Sequence, residues 1–209
     1  MKTFIAVPCM DMVHTAFFTS YNRMNRPDET MLATAQSSLV YDSRNRLARA
    51  ALESGADRVL WLDSDMDLPP DLMERLSADL DEGRDYVSAL AFRRNVPTWP
   101  IIYNKVEYLK KDGRTSVDCS MMTDWPEEIF EVAASGFAAV MMTTELLRRV
   151  TEAVGLPFAP MPGLGEDIAF CWRARQLGYT LWCDPAVTPG HVGVFTYTKE
   201  LYDRKGAAK

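Results

Sequence analysis

No apolar run in this sequence approaches the roughly 20 residues needed to cross a bilayer, so no transmembrane segment is expected. None of the four cysteines, Cys9, Cys119, Cys171 and Cys183, forms a Cys-x-x-Cys pair. Neither a disulfide scaffold nor a zinc ribbon is therefore expected, and a reducing, cytoplasmic setting is. Positive charge is in deficit: 23 Lys and Arg stand against 29 Asp and Glu, a formal net charge of −6. That balance argues against a protein that grips nucleic acid by general electrostatics. Histidine is scarce, with only His14 and His191. Internal repeats and low-complexity tracts are missing. The opening stretch Met1 to Pro8 has too short an apolar part for a signal peptide and no small-residue cleavage site, and it reads as the first core strand.

What is present is ordinary in bulk and uneven in detail. At 209 residues, 47% apolar and 25% charged, the chain fits one soluble domain, residues 1–209, with a substantial core. Strand candidates alternate with helix candidates. Phe4 to Val7 is a strand closed by Pro8. Val13, Phe17, Tyr21 and Met24 recur at intervals of four, four and three, a helical spacing that Arg26-Pro27-Asp28 ends. From Asp11 to Tyr41 the chain is otherwise polar and mixed. Asp42 or Ser43 is the expected cap of a helix through Ser54, with Gly55 as its C-terminal stop. Arg58 to Leu62 is a buried strand, and Pro69-Pro70 opens a helix striped by Leu72, Leu76 and Leu80. Tyr86 to Phe92 is a further strand, ending on Arg93-Arg94. The irregular middle, 95–131, holds short strand candidates at Ile101 to Tyr103 and Glu107 to Leu109, and Asp112-Gly113 reads as a hairpin turn. Leu146, Leu147, Val150 and Val154 mark a helix capped near Thr143 or Thr144. A last helix runs from Glu166 to Leu177 before Gly178, and Tyr179 to Cys183 is the last strand. The early β/α alternation predicts an α/β fold with a mostly parallel central sheet flanked by helices and a small mixed or antiparallel region beside it.

The organising stretch is Val59-Leu60-Trp61-Leu62-Asp63-Ser64-Asp65-Met66-Asp67. A buried strand that stops on carboxylates spaced two apart delivers Asp63 and Asp65 to the carboxyl rim of the sheet, where open α/β sheets bind ligands. Carboxylates held that close repel one another unless a divalent cation relieves them. A competing reading makes Asp63, Asp65 and Asp67 caps of the helix after Pro69-Pro70. Asp57 to Asp85 carries ten acids and three arginines, a local balance of −7. An anionic ligand is compatible with such a site only if a cation reverses the local charge. Three other places attract notice. Glu166 and Asp167 begin a helix behind Gly163 and Gly165, either as simple N-terminal charge complementarity or as a general base. His191 lies between Gly190 and Gly193, where the backbone can approach a ligand. Gly136, after Ser135, could let a substrate lie against the backbone.

In their order, these motifs resemble the metal-dependent nucleotide-sugar glycosyltransferases of the GT-A fold, family 2-like, over nearly the whole chain. They are a strand ending in Pro8, Ser43-Arg44-Asn45 opening a helix, Asp63-Ser64-Asp65 after a strand, Gly136, Gly165-Glu166-Asp167 with Phe170-Cys171 behind it, and a late His191. The resemblance implies transfer of one sugar from a UDP- or GDP-sugar to a hydroxyl of a glycan, protein, lipid-linked or other acceptor. It implies Mn2+ or Mg2+ held by Asp65 and His191, with Asp63 on the metal or the donor ribose. Pro8, Arg44, Asn45, Asp63, Ser64 and Gly136 would line the donor pocket. Asp167 would be the base of an inverting reaction, with Glu166 beside it or binding acceptor. Residues 1–94 would form the nucleotide half and 95–209 the acceptor half. The Gln-x-x-Arg-Trp signature of processive members is missing, Cys171-Trp172-Arg173-Ala174-Arg175 standing instead, so a single transfer is expected.

Other classes make different demands. A nucleotidyltransferase of related fold wants a glycine-rich, basic loop after strand one to cradle triphosphate, and Pro8 to His14 has neither glycine nor Lys or Arg. A hydrolase with Asp63 as nucleophile lacks a placeable companion lysine. A catalytically silent nucleotide-sugar or carbohydrate-binding protein would keep the site without turnover. The tail after Val194, with Lys199, Arg204, Lys205 and Lys209, reads as a solvated terminus, the competing reading being closure over the donor phosphates.

Overall fold

The structure, a computed structural model, describes residues 1–27, 29–95, 97–111 and 114–193. The Asp112-Gly113 turn and the basic tail lie outside the described residues. The strands are β1 (Thr3–Cys9), β2 (Thr30–Gln36), β3 (Arg58–Leu62), β4 (Met66–Asp67), β5 (Tyr86–Ala89), β6 (Ile102–Lys111), β7 (Arg114–Met121), β8 (Phe130–Val132), β9 (Ala134–Ser135), β10 (Ala139–Thr143), β11 (Leu181–Asp184) and β12 (Gly190–His191). The helices are α1 (Thr15–Arg23), α2 (Val40–Glu53), α3 (Leu72–Asp81), α4 (Thr144–Val154) and α5 (Glu166–Gln176).

Seven strands form the central sheet in the order β2-β1-β3-β10-β5-β11-β8. Five of them point the same way, while β10 and β8 run against their neighbours. The expected mostly parallel α/β sheet is thus present. Its inner strands are apolar on both faces because helices cover both. Phe4, Ala6, Val59, Trp61, Val140 and Met142 face the layer holding Leu47 of α2, Leu146 of α4 and Phe170 of α5. The alternating residues Ile5, Val7, Leu60, Leu62, Val87 and Met141 face Phe17 of α1 and Leu72 and Leu76 of α3. Beside this body, β6 pairs antiparallel with β7 on one side and β9 on the other, the small antiparallel region expected from the middle of the chain. No helix among the described residues is long and apolar enough to cross a membrane.

Several boundaries differ from the sequence reading, each for a physical reason. β1 continues through Pro8 to Cys9 because β3 pairs with it only as far as Ala6. Beyond that point β1 has a neighbour on one side alone, where a residue lacking an N–H is tolerated. β2 has no counterpart in the sequence reading: it is an edge strand with little burial, so its residues never form an apolar run. α2 starts at Val40 rather than after a cap at Asp42 or Ser43. Asp42 is instead spent on Arg46, 2.8 Å away, and Ser43 is wholly buried within the helix. The short candidates in the middle fuse into one long β6, and β7 follows.

Asp79, on α3, combines burial with the neighbouring Asp184 carboxylate, and together they push its carboxyl up to about 6. Its Oδ2 is buried with no hydrogen-bond partner. A carboxyl raised above the unfolded value of about 3.9 stabilises the fold while protonated, and loses that contribution as pH rises through about 6. Asp79→Asn, which keeps the neutral shape, is expected to raise the melting temperature at neutral pH by about 2–4 °C. It should also flatten the fall in stability across that pH window; a lower melting temperature at neutral pH would contradict this.

Candidate functional site

The carboxyl ends of β1 and β3 open onto a cleft of about 830 Å³. Of the residues expected at the site, Pro8, Arg44, Asp63, Ser64, Asp65, Glu166, Asp167 and His191 line it. Asn45 and Gly136 lie elsewhere. Asn45 Oδ1 accepts a hydrogen bond from the Phe158 amide at 3.0 Å, tying α2 to the segment after α4. At Gly136 a Cβ would stand 3.0 Å from Ile101 Cγ2, so the close approach that needs glycine there is to a core side chain.

The floor of the cleft is built on Arg44, on the first turns of α2. Its side chain is only 3% exposed, with Nη2 at 2.7 Å from Asp63 Oδ1 and Nη1 at 3.6 Å from Glu166 Oε1. The guanidinium carbon lies 5.0 Å from the Phe137 ring centroid, and Phe137 belongs to an aromatic cluster with Trp61, Phe158 and Phe170. Burial works against the Arg44 charge, but Asp63, Glu166 and Asp167 outweigh it and hold its pKa above the ordinary value. Burial likewise raises the Asp63 carboxyl, with Arg44 opposing and Asp65 and Asp167 adding to the rise. Glu166 is raised by burial too, against the pull of Arg44.

The second part of the site is assembled by a two-stranded ribbon. After Asp65 the chain enters β4, and β12 pairs antiparallel with it, His191 opposite Met66 and Gly190 opposite Asp67. The Val192 amide donates to Asp65 O at 2.8 Å. This pairing sets His191 Nε2 at 3.5 Å from Asp65 Oδ2. His191 Nδ1 lies 2.7 Å from the Phe92 carbonyl, which can only accept, so Nδ1 carries a hydrogen and Nε2 is the ring nitrogen turned toward Asp65. Without a cation the ring is drawn toward its charged form: the hydrogen bond to Asp65 raises the His191 pKa, burial opposes it, and the Phe92 contact adds to the rise. Burial alone would lift Asp65, but His191 and the Arg94 guanidinium hold its carboxyl below the ordinary range.

Because β4 separates the acidic run from α3, Asp63, Asp65 and Asp67 do not cap that helix. α3 begins at Leu72, after Asp71. Among the described residues no group of three or more His, Cys, Asp or Glu converges as a complete metal cage. Asp65 and His191 offer one oxygen and one imidazole nitrogen, a partial set that could hold a divalent cation only with further ligands from outside the chain. Asp63 Oδ1 is already engaged by Arg44.

At the far wall, Asp167 Oδ1 accepts from the Ile168 amide at 2.7 Å, at the N-terminus of α5. A Cβ at Gly165 would lie 3.0 Å from that oxygen, so the glycine leaves room for the carboxylate. In all the cleft is lined by five carboxylates, Asp11, Asp63, Asp65, Glu166 and Asp167, against the guanidiniums of Arg44 and Arg94. Three further cleft residues add to the site. Arg94 lies 2.8 Å from Asp65 Oδ2, Ser43 has a buried hydroxyl without a partner, and His14 caps α1 by accepting from the Ala16 amide. Arg94 had a legible signal, as a cation just past a strand end at the binding rim, and Ser43 stood in the Ser43-Arg44-Asn45 motif; His14 had none.

Removing Arg44 would leave the half-buried Asp63 and Glu166 without their counter-charge. Arg44→Met is expected to lower unfolding free energy by about 3–5 kcal/mol at neutral pH in denaturant titration. Both acids already sit above their ordinary values, so mild acidification should return part of the loss by protonating them. A variant as stable as the wild type would show that the ion pairs contribute nothing net.

No family model matches the chain, and no curated protein matches it in sequence. Among solved structures, A197 from STIV is similar with a TM-score of 0.63 and 18% identity, over 93% of this chain and 87% of that one. GalNAc-T7, crystallised with UDP, GalNAc and Mn2+, is similar with a TM-score of 0.61 and 12% identity, over 93% of this chain and 43% of that one. At such identities the likeness is one of fold: a GT-A-like α/β sheet with the cleft at the carboxyl ends of its strands.

Proposed function

We propose that the protein is a glycosyltransferase that moves one sugar from a UDP- or GDP-sugar to an acceptor hydroxyl with the help of Mn2+ or Mg2+. The observation that carries this reading is the β4–β12 ribbon, which sets His191 Nε2 3.5 Å from Asp65 Oδ2 in an acid-lined cleft of GT-A-like architecture. A nucleotide diphosphate would be repelled by the bare carboxylates, and a cation at Asp65 and His191 reverses that. The GalNAc-T7 structure, with UDP and Mn2+ bound, has the same fold and supports the choice of ligand class.

The cation, when bound, supplies Lewis-acid stabilisation of the charge that builds on the departing nucleotide diphosphate. The chain's own groups do the rest. Asp65 and His191 hold the cation, the latter oriented by the Phe92 carbonyl. Pro8 and Ser64 line the donor side, and Asp63, clamped by Arg44, offers its second oxygen to the donor ribose. Glu166, 3.6 Å from Arg44 Nη1, serves to position the guanidinium rather than to transfer a proton. Asp167 has no such cation within bonding distance among the described residues and is the base that takes the proton from the acceptor hydroxyl. A base of this kind, acting opposite the leaving group, gives inversion at the sugar carbon. The half of the chain from residue 95 onward would receive the acceptor.

Calorimetric titration of UDP and GDP, each with Mn2+ and with EDTA, tests the site. One nucleotide should bind only with metal, and Asp65→Ala should abolish that binding without loss of the folded state. Equal binding in EDTA would remove the cation from the reading, and no binding by folded protein would remove the donor site. Asp167→Asn is expected to keep nucleotide affinity while lowering transfer by about 100-fold or more. Transfer at the wild-type rate would take the base role from Asp167.

A further inference from the structure

Asp65 Oδ2 has two partners at once: Arg94 Nη1 at 2.8 Å and His191 Nε2 at 3.5 Å. A cation binding that oxygen competes with the charge already on it. His191 is fixed on its other side by the Phe92 carbonyl at 2.7 Å, and its side chain is 16% exposed. Arg94 is the looser of the two. Its side chain is 51% exposed, and its remaining polar contact is a 3.5 Å approach to Val192 O. Its neighbour Arg93 is committed elsewhere, donating to the Tyr103 hydroxyl at 3.0 Å. The Arg94 stem lies over Gly193, where a Cβ would meet its Cδ at 3.3 Å, so the glycine leaves the stem a path across the backbone. The same guanidinium lines the cleft, among carboxylates that give it no second partner in the described residues.

From this arrangement we infer that Arg94 is a placeholder for the cation. It neutralises Asp65 in the empty enzyme, yields the carboxylate when cation and nucleotide arrive together, and then binds the nucleotide diphosphate. The inference rests on the proposed function and adds a specific role to it. The electrostatics run in one direction. A divalent cation on Asp65 repels the guanidinium at close range, while the incoming diphosphate attracts it and can accept its forked hydrogen bonds. Because metal alone must evict Arg94 without offering it a new partner, metal binding in the absence of nucleotide is penalised. Nucleotide binding lifts that penalty, so the two ligands bind with positive coupling.

The test uses Arg94→Ala and Arg94→Lys in the full chain, with Mn2+ binding followed by electron paramagnetic resonance and nucleotide binding by calorimetry. Without nucleotide, Arg94→Ala is expected to bind Mn2+ about three- to tenfold more tightly than the wild type, since the competing charge is gone. With saturating Mn2+, the same variant is expected to bind UDP or GDP more weakly by a similar factor, with Arg94→Lys between it and the wild type. A residue of merely structural importance would weaken both, so opposite signs distinguish the proposal. Unchanged or weaker Mn2+ binding by Arg94→Ala would overturn the placeholder role, and unchanged nucleotide affinity would overturn the phosphate role. Either result can occur while the wild type still binds nucleotide only with metal, which leaves the proposed function standing. If the wild type instead binds nucleotide equally with EDTA, both fall together.

Discussion

The buried guanidinium of Arg44 is the constraint on which the site depends. It joins three pieces of chain that are far apart in sequence: the start of α2, the end of β3 through Asp63, and the start of α5 through Glu166. A charge this deep is tolerable only with close counter-charges, so each partner fixes the others. The aromatic cluster around Phe137 closes the inner side, and the carboxylates answer the charge from the other. The cleft is therefore rigid at its floor. Its acids stand at set positions before any ligand arrives.

Against that floor, the rim is held by weaker means. Asp65 meets His191 through a ribbon of two residues on each strand, and Arg94 is half exposed. The contrast has a functional logic. Groups that position a ligand benefit from locked rotamers, whereas a carboxylate that must exchange one cation for another needs a partner that can leave. The orphan hydroxyl of Ser43, wholly buried and facing the same cleft, belongs with the rigid part.

Much of this was legible in the sequence because burial leaves a composition. The run Arg58–Leu62 is strand from end to end and delivers Asp63 to the rim as its apolar pattern required. Thr143 caps α4 and Gly178, with φ 89°, follows α5, both as local turn chemistry dictates. What could not be read was set by contacts rather than by pattern. β2 is an exposed edge that only its neighbour β1 makes into a strand. Asn45 sits next to Arg44 in sequence but a helix turns successive side chains by about 100°, and so it faces Phe158 while Arg44 faces the cleft. Gly136 looks like a substrate approach in one dimension and is a packing requirement in three. Arg94 stands just past a strand end in the sequence, but only the fold brings it to Asp65.

The β4–β12 ribbon also bears on when the site comes into being during synthesis. Its two strands lie at Met66–Asp67 and Gly190–His191, so the carboxylate is made long before the imidazole that stands beside it. A chain emerging from the ribosome can form β1, α2 and β3 from its early residues. The pair at Asp65 and His191 has to wait for almost all of the described chain to be made. An early fragment would carry Asp63 and Asp65 without Glu166, Asp167 or the nitrogen that completes the pair, so the proposed site assembles only late in synthesis.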